Sequence, residues 1–147
     1  MEKVFDILLI EDNPSDIKLT LKAFEKMNLA NRVFVVTDGE QALSVFYQKE
    51  KFSDKGIINP KVILLDLKLP KVDGHEVLKE LKSNEKTKII PVVVLTSSDD
   101  ESDILKSYKL GANSYIVKPV DYEKFVKTVT ELGIYWLFFN TISKFSL

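Results

Sequence analysis

Residues 62–74 read VILLDLKLPKVDG, and the fold turns on how this stretch is understood. From Val62 to Leu65 the run is unbroken and apolar, and it ends abruptly in Asp66. A run of Val, Ile and Leu of this kind marks a strand buried on both faces, as in a parallel sheet covered by helices. Leu69-Pro70 then turns the chain, and Asp73-Gly74 opens a segment whose Val77, Leu78 and Leu81 fall on one helical face.

The same alternation holds before and after. Further apolar segments lie at residues 5–10, 33–36, 92–95 and 115–117. Between them come helical patterns. After Pro14, residues Ile17, Leu21 and Phe24 recur on one face, with Asn13 or a residue beside it placed to cap the helix and Pro14 suited to its first turn. Residues 39–48 turn Ala42, Leu43 and Phe46 inward, and 100–110 form a helix that stops at Gly111. A last helix follows Asp121, with Phe125, Val126, Val129 and Leu132 inward, and residues 51–60 read as the one longer loop.

Strands and helices alternating this regularly imply right-handed crossovers and an α/β fold. For five strands the flavodoxin-like order 2-1-3-4-5 suits best, with helices on both faces. It places the ligand site at the carboxyl ends of strands 1 and 3.

Composition narrows the function classes. The 147 residues fit one domain, and 45% hydrophobic with 29% charged residues fits a globular protein with a real core. A formal net charge of -1 gives no basic field for nucleic acid or a membrane surface. There is no cysteine, which excludes disulfides, thiol catalysis and cysteine-held metals. The start, MEKVFDILLIED, lacks the basic and long apolar parts of a secretory signal. No apolar run approaches the ~20 residues of a membrane helix. The expected location is the cytoplasm.

In the expected strand order, Glu11 and Asp12 after the first strand meet Asp66 after the third. At about 5 Å and an effective dielectric near 20, each like-charge pair costs roughly 3 kcal/mol. The cluster therefore calls for a cation or a bound proton. Oxygen-only ligands select a hard, partly hydrated ion, which fits Mg²⁺ best. A carboxylate beside such an ion can also attack phosphorus, and Asp66, at the end of the most apolar strand, is the candidate. Thr96 ends the fourth strand, where its hydroxyl could hold a phosphoryl oxygen. Lys118-Pro119 follows the fifth, where the ammonium could do the same, aimed further by a cis bond before Pro119.

Glu11-Asp12, Asp66, Thr96 and Lys118-Pro119, with the segment LLDLKLPKVDGHEVL, resemble the receiver domains of two-component response regulators over residues 4–132. The local patterns, with PVVVLTSS and a late Tyr-Trp-Leu, are most similar to small single-domain regulators paired with phytochrome-type histidine kinases. The resemblance implies that Asp66 accepts a phosphoryl group from a sensor histidine kinase. Mg²⁺ would be held by Asp12, Asp66, the backbone carbonyl of Lys68 and, through water, Glu11. Thr96 and Lys118 would bind the phosphoryl oxygens, and Tyr115 would be the aromatic switch that turns inward with Thr96. Lys68 departs from the uncharged residue many relatives carry, which bears on the lifetime of the phosphorylated form, whereas Ser97 keeps the small residue next to the site.

Residues 1–133 are the expected receiver and 134–147 an aromatic-rich extension of the last helix, with no separate output domain. Tyr135, Trp136, Phe138 and Phe139 either pack on their own domain from a long last helix or, the reading preferred, form a face covered by a second copy or a partner, continuous with the helix 4, strand 5 and helix 5 surface that the resemblance implies for pairing. His75, the only histidine, reads as a solvated helix residue. Enzyme readings fare worse. A haloacid-dehalogenase-like phosphatase needs an acid two residues after the nucleophile, where Lys68 stands. A dinucleotide-binding enzyme needs glycines where the chain reads EDNPSD. A receiver-fold module that is never phosphorylated is the remaining alternative.

Overall fold

The computed structural model describes residues 3–48 and 54–143. Five parallel strands, β1 (Val4–Ile10), β2 (Val33–Val36), β3 (Ile57–Leu65), β4 (Val92–Thr96) and β5 (Ser114–Val117), are ordered β2-β1-β3-β4-β5. The helices between and after them are α1 (Pro14–Glu25), α2 (Gly39–Tyr47), α3 (Gly74–Ser83), α4 (Glu101–Lys109) and α5 (Tyr122–Ile134). Order and element sequence are those expected of the flavodoxin-like fold.

Side chains alternate across the sheet with period two, and this produces two cores. Leu8, Ile10, Ile63, Leu65, Val92 and Val94 join Ala42 and Phe46 of α2 and Val77, Leu78 and Leu81 of α3 on one face. Ile7, Leu9, Val62, Leu64, Val93 and Leu95 join Phe24 of α1 and Phe125, Val126, Val129 and Leu132 of α5 on the other. The central strands β1, β3 and β4 are therefore buried on both faces, while β5 at the edge is only half-buried.

The helices start as their sequences require. Asn13, Asp38, Asp73 and Asp121 each accept a backbone N–H of the first turn, at 3.0, 2.7, 3.0 and 2.8 Å respectively. Gly111, at φ 104°, ends α4 in the left-handed region. Gly74 is needed for another reason. A Cβ there would come within 2.3 Å of the Asp66 carbonyl oxygen, so the start of α3 can lie against the end of β3 only without a side chain.

Two expectations are corrected. Residues 57–60 belong to β3, pairing Val4 with Ile57 and Phe5 with Ile58 ahead of a register shift, instead of to a loop. Asn59-Pro60 reads as a turn, but a proline is tolerated where a bulge interrupts the ladder. Residues 49–53 of the expected loop lie outside the described residues. His75 is half-buried, not solvated, with Nε2 3.0 Å from Ser107 Oγ across α3 and α4. Because the Ser107 hydroxyl donates to the Asp103 carbonyl at 2.7 Å, its oxygen accepts from His75.

Beyond α5 the chain continues as a π-helical turn, Tyr135–Phe139. Trp136 and Leu137 pack on the α1–α5 core, whereas Phe138 and Phe139 stay 63% and 73% exposed. Among the described residues no helix is long and apolar enough to cross a membrane.

Candidate functional site

The carboxyl ends of β1 and β3 are locked together by backbone before any side chain enters. Asp66 N–H donates to the Ile10 carbonyl at 3.0 Å, and Glu11 N–H donates to Val36 at 3.1 Å. Glu11, Asp12 and Asp66 therefore project from neighbouring strand ends at the switch point. One carboxylate oxygen from each lies within 4.8 Å of the others. Glu11 and Asp66 are buried and Asp12 is exposed.

Lys118 crosses the crevice from the end of β5. Its Nζ donates to Glu11 Oε1 at 2.5 Å, Asp16 Oδ2 at 2.8 Å and Asp66 Oδ2 at 3.0 Å, and only 7% of its side chain is exposed. All three ammonium donors are thus committed to carboxylates. Among the described residues no peptide bond is cis, so the expected cis bond before Pro119 is not what aims Lys118. The backbone does so instead, with Lys118 N–H donating to the Thr96 carbonyl at 2.7 Å.

The remaining carboxylate oxygens are held by amides. Asp66 Oδ1 accepts from Leu67 N–H at 2.7 Å, and Glu11 Oε2 accepts from Asp12 and Asn13 N–H at 3.1 and 3.2 Å. Protonation follows from this arrangement. Burial, and then the charge of Asp66, push Glu11 up to about 7. Burial acts in the same direction on Asp66, but Lys118, Glu11 and Thr96 outweigh it and hold that carboxyl below its ordinary value. Burial works against the Lys118 ammonium, yet Asp16, Glu11 and Asp66 together raise its pKa well above normal.

Thr96 is fully buried at the end of β4, where its oxygen accepts a long bond from Ser98 N–H at 3.4 Å. Tyr115 is half-buried, with its hydroxyl donating to the Ser98 carbonyl at 2.9 Å, so both lean on the same β4–α4 loop. The Lys68 side chain is exposed at the rim. Asp16 is the residue that sequence reading missed. Its signal was its place in EDNPSD, three residues after the Asn13 cap, which turns the first turn of α1 toward the crevice.

With Glu11, Asp12, Asp16 and Asp66 ionised, one ammonium leaves three negative charges in excess. Burial is the main cause of the raised pKa of Glu11, and the neighbouring charge of Asp66 adds to it. The oxygen-only donor set fits a hard divalent cation.

The family model for the response regulator receiver domain matches residues 7–130. This chain belongs to that family. Among curated relatives, the receiver is 42% identical to the probable methanogenesis regulatory protein FilR2 of Methanothrix harundinacea, over 95% of this chain and 88% of that one. It is 37% identical to response regulator Rcp1 of Synechocystis, over 89% and 88% of the two chains. The structure of phosphorylated RcpA, a cyanobacterial phytochrome response regulator, superposes with a TM-score of 0.87 at 38% identity, over 96% and 99% of the chains. The Mn²⁺-bound form of Rcp1 gives 0.85 at 36% identity, over 95% and 99%. The receiver is therefore a signalling protein similar to small phytochrome-associated regulators.

Proposed function

We propose that this receiver accepts a phosphoryl group from a sensor histidine kinase on Asp66 and signals by changing its protein–protein contacts. The observation that carries the reading is the buried Asp66 carboxylate, with one oxygen fixed by the Leu67 amide and the other turned to Lys118. Oδ2, the oxygen turned to Lys118, attacks phosphorus as the bond from phosphorus to the kinase imidazole nitrogen breaks. The electron pair of that bond returns to the imidazole. Lys118 then bonds a phosphoryl oxygen in place of Asp66, and the Thr96 hydroxyl supplies a second donor.

Mg²⁺, held by the carboxylates of Asp12 and Asp66, the Lys68 carbonyl and, through water, Glu11, would offset the repulsion between the attacking carboxylate and the incoming phosphoryl group. On phosphorylation Thr96 moves toward the new charge, Tyr115 follows through the shared Ser98 loop, and the α4–β5–α5 face shifts between two states. Residues 1–133 act as the receiver and 134–147 as its extension.

That face and the extension expose Leu105, Tyr108, Phe138 and Phe139, which supports pairing with a second copy. The likeness to RcpA and Rcp1 supports a phytochrome-type kinase as the phosphoryl source. Incubation with acetyl phosphate and Mg²⁺, resolved on a phosphate-affinity gel, tests the acceptor role. A shifted band in the wild type, lost in Asp66→Asn, is expected. An unshifted wild type would favour a passive interaction module. Sedimentation with and without a phosphoryl mimic tests the pairing, and Trp136 fluorescence reports it.

A further inference from the structure

We infer that Asp16 is a positioning residue for phosphoryl acceptance, drawing the Lys118 ammonium toward α1 so that its 3.0 Å contact with Asp66 Oδ2 stays one of three and can be exchanged for a phosphoryl oxygen. The inference rests on the acceptor reading above and names a residue outside the acidic trio proposed for the metal.

Three carboxylates from three elements share one ammonium, and two of them have other work. Glu11 belongs to the metal trio, and Asp66 must present an oxygen to phosphorus. Asp16 has no such second task. Its Oδ2 lies 2.8 Å from Nζ, nearer than the 3.0 Å of Asp66, and 24% of its side chain is exposed. Its backbone is fixed twice, by N–H donation to Asn13 Oδ1 at 3.0 Å and by the Thr20 hydroxyl on its carbonyl at 2.7 Å. The carboxylate is therefore a rigid anchor set in the first turn of a capped helix.

Removing that anchor would leave the ammonium with only Glu11 and Asp66. Without the pull of Asp16 the ammonium can settle closer to Glu11 and Asp66, and each of those attractions grows as the distance falls. The nucleophilic oxygen would be held more tightly than it is now, and the metal would compete with a more closely bound ammonium for the same carboxylates. Asp16 thus divides the charge of Lys118 and keeps Asp66 available.

The competing explanation is that an acidic residue in the first turn only favours the α1 dipole. That effect lowers the melting temperature but has no dependence on Lys118, so a double-mutant cycle separates the two. The readout is the initial rate of phosphorylation by acetyl phosphate at saturating Mg²⁺. Asp16→Asn should slow it by about tenfold, the scale of one charge-assisted contact. In a Lys118→Met background the same substitution should change nothing. Asp16→Glu, which keeps the charge, should recover most of the rate.

The Lys118 ammonium resonance gives an independent reading that does not need turnover. It should move in Asp16→Asn and stay in place in Lys18→Gln, a change on the outer face of the same helix. Equal slowing in both backgrounds, no slowing in either, or no recovery in Asp16→Glu would overturn the role of Asp16. A wild type that acetyl phosphate leaves unmodified would overturn the acceptor reading itself, and this inference with it.

Discussion

Two lysines tie down opposite ends of the same sheet, and their surroundings differ in kind. Lys118, at the carboxyl end, meets three carboxylates. Lys82, near the end of α3, meets three neutral oxygens at the amino end of β4 and β5. It donates to the carbonyls of Lys88 and Ile90 at 3.0 and 2.8 Å and to Asn113 Oδ1 at 3.0 Å. Asn113 in turn accepts from Val92 N–H at 2.9 Å, so Lys82 completes a seam where two strands begin. Burial draws Lys82 down to about 8, whereas the carboxylates carry Lys118 the other way. The same side chain ties neutral oxygens at one end and gathers carboxylates at the other, and the difference lies in the charge of its partners.

The largest difference should appear in phosphorylation. Lys118→Met should slow the acetyl phosphate reaction by about 100-fold, as the loss of one oxyanion donor does elsewhere. It should also tighten divalent-metal binding, since a competitor for the carboxylates is gone, which titration calorimetry would detect. Lys82→Met should leave the rate within about twofold and cost about 2 kcal/mol in urea unfolding, because carbonyl oxygens lose their donor. A Lys82 variant that loses phosphoryl acceptance at unchanged stability would break the comparison.

The smaller effects lie in pH. Glu11 binds its proton more tightly in the folded chain, with a pKa of about 7 against 4.5, so metal-free stability should fall as pH rises from 4.5 to 7. Glu11→Gln, or excess Mg²⁺, should flatten that slope in thermal melts. Lys82 has the opposite sign. Its folded pKa of about 8 lies below 10.5, so its contribution makes stability rise with pH between those values, and Lys82→Met should remove that rise.

Much of this was legible in the sequence because apolar runs and strand-end acids are local signals. VILLD announced both a buried strand and the residue at its end, and PVVVLT did the same for Thr96. Lys118 was legible as a strand-end cation, but not its third partner. Asp16 carried only a weak signal, its place three residues after Asn13, because an acid in a first helical turn usually serves the dipole alone. Lys82 reads as an ordinary solvated helix lysine, since backbone carbonyls carry no sequence signature. His75 was read as a solvated helix residue and misjudged, because its partner Ser107 lies on a different helix that only the fold brings near. The early part of β3 was hidden by Asn59-Pro60, whose turn chemistry tertiary pairing with β1 overrides.

The proposed attachment of phosphorus to Asp66 can be tested directly. After incubation with acetyl phosphate and Mg²⁺, borohydride reduction converts an aspartyl phosphate to homoserine, which peptide mass spectrometry locates. Homoserine at position 66, absent when a chelator removes the metal, is the predicted result. Homoserine at another aspartate, or modification of Asp66 undiminished by the chelator, would contradict a metal-assisted acceptor at the end of β3.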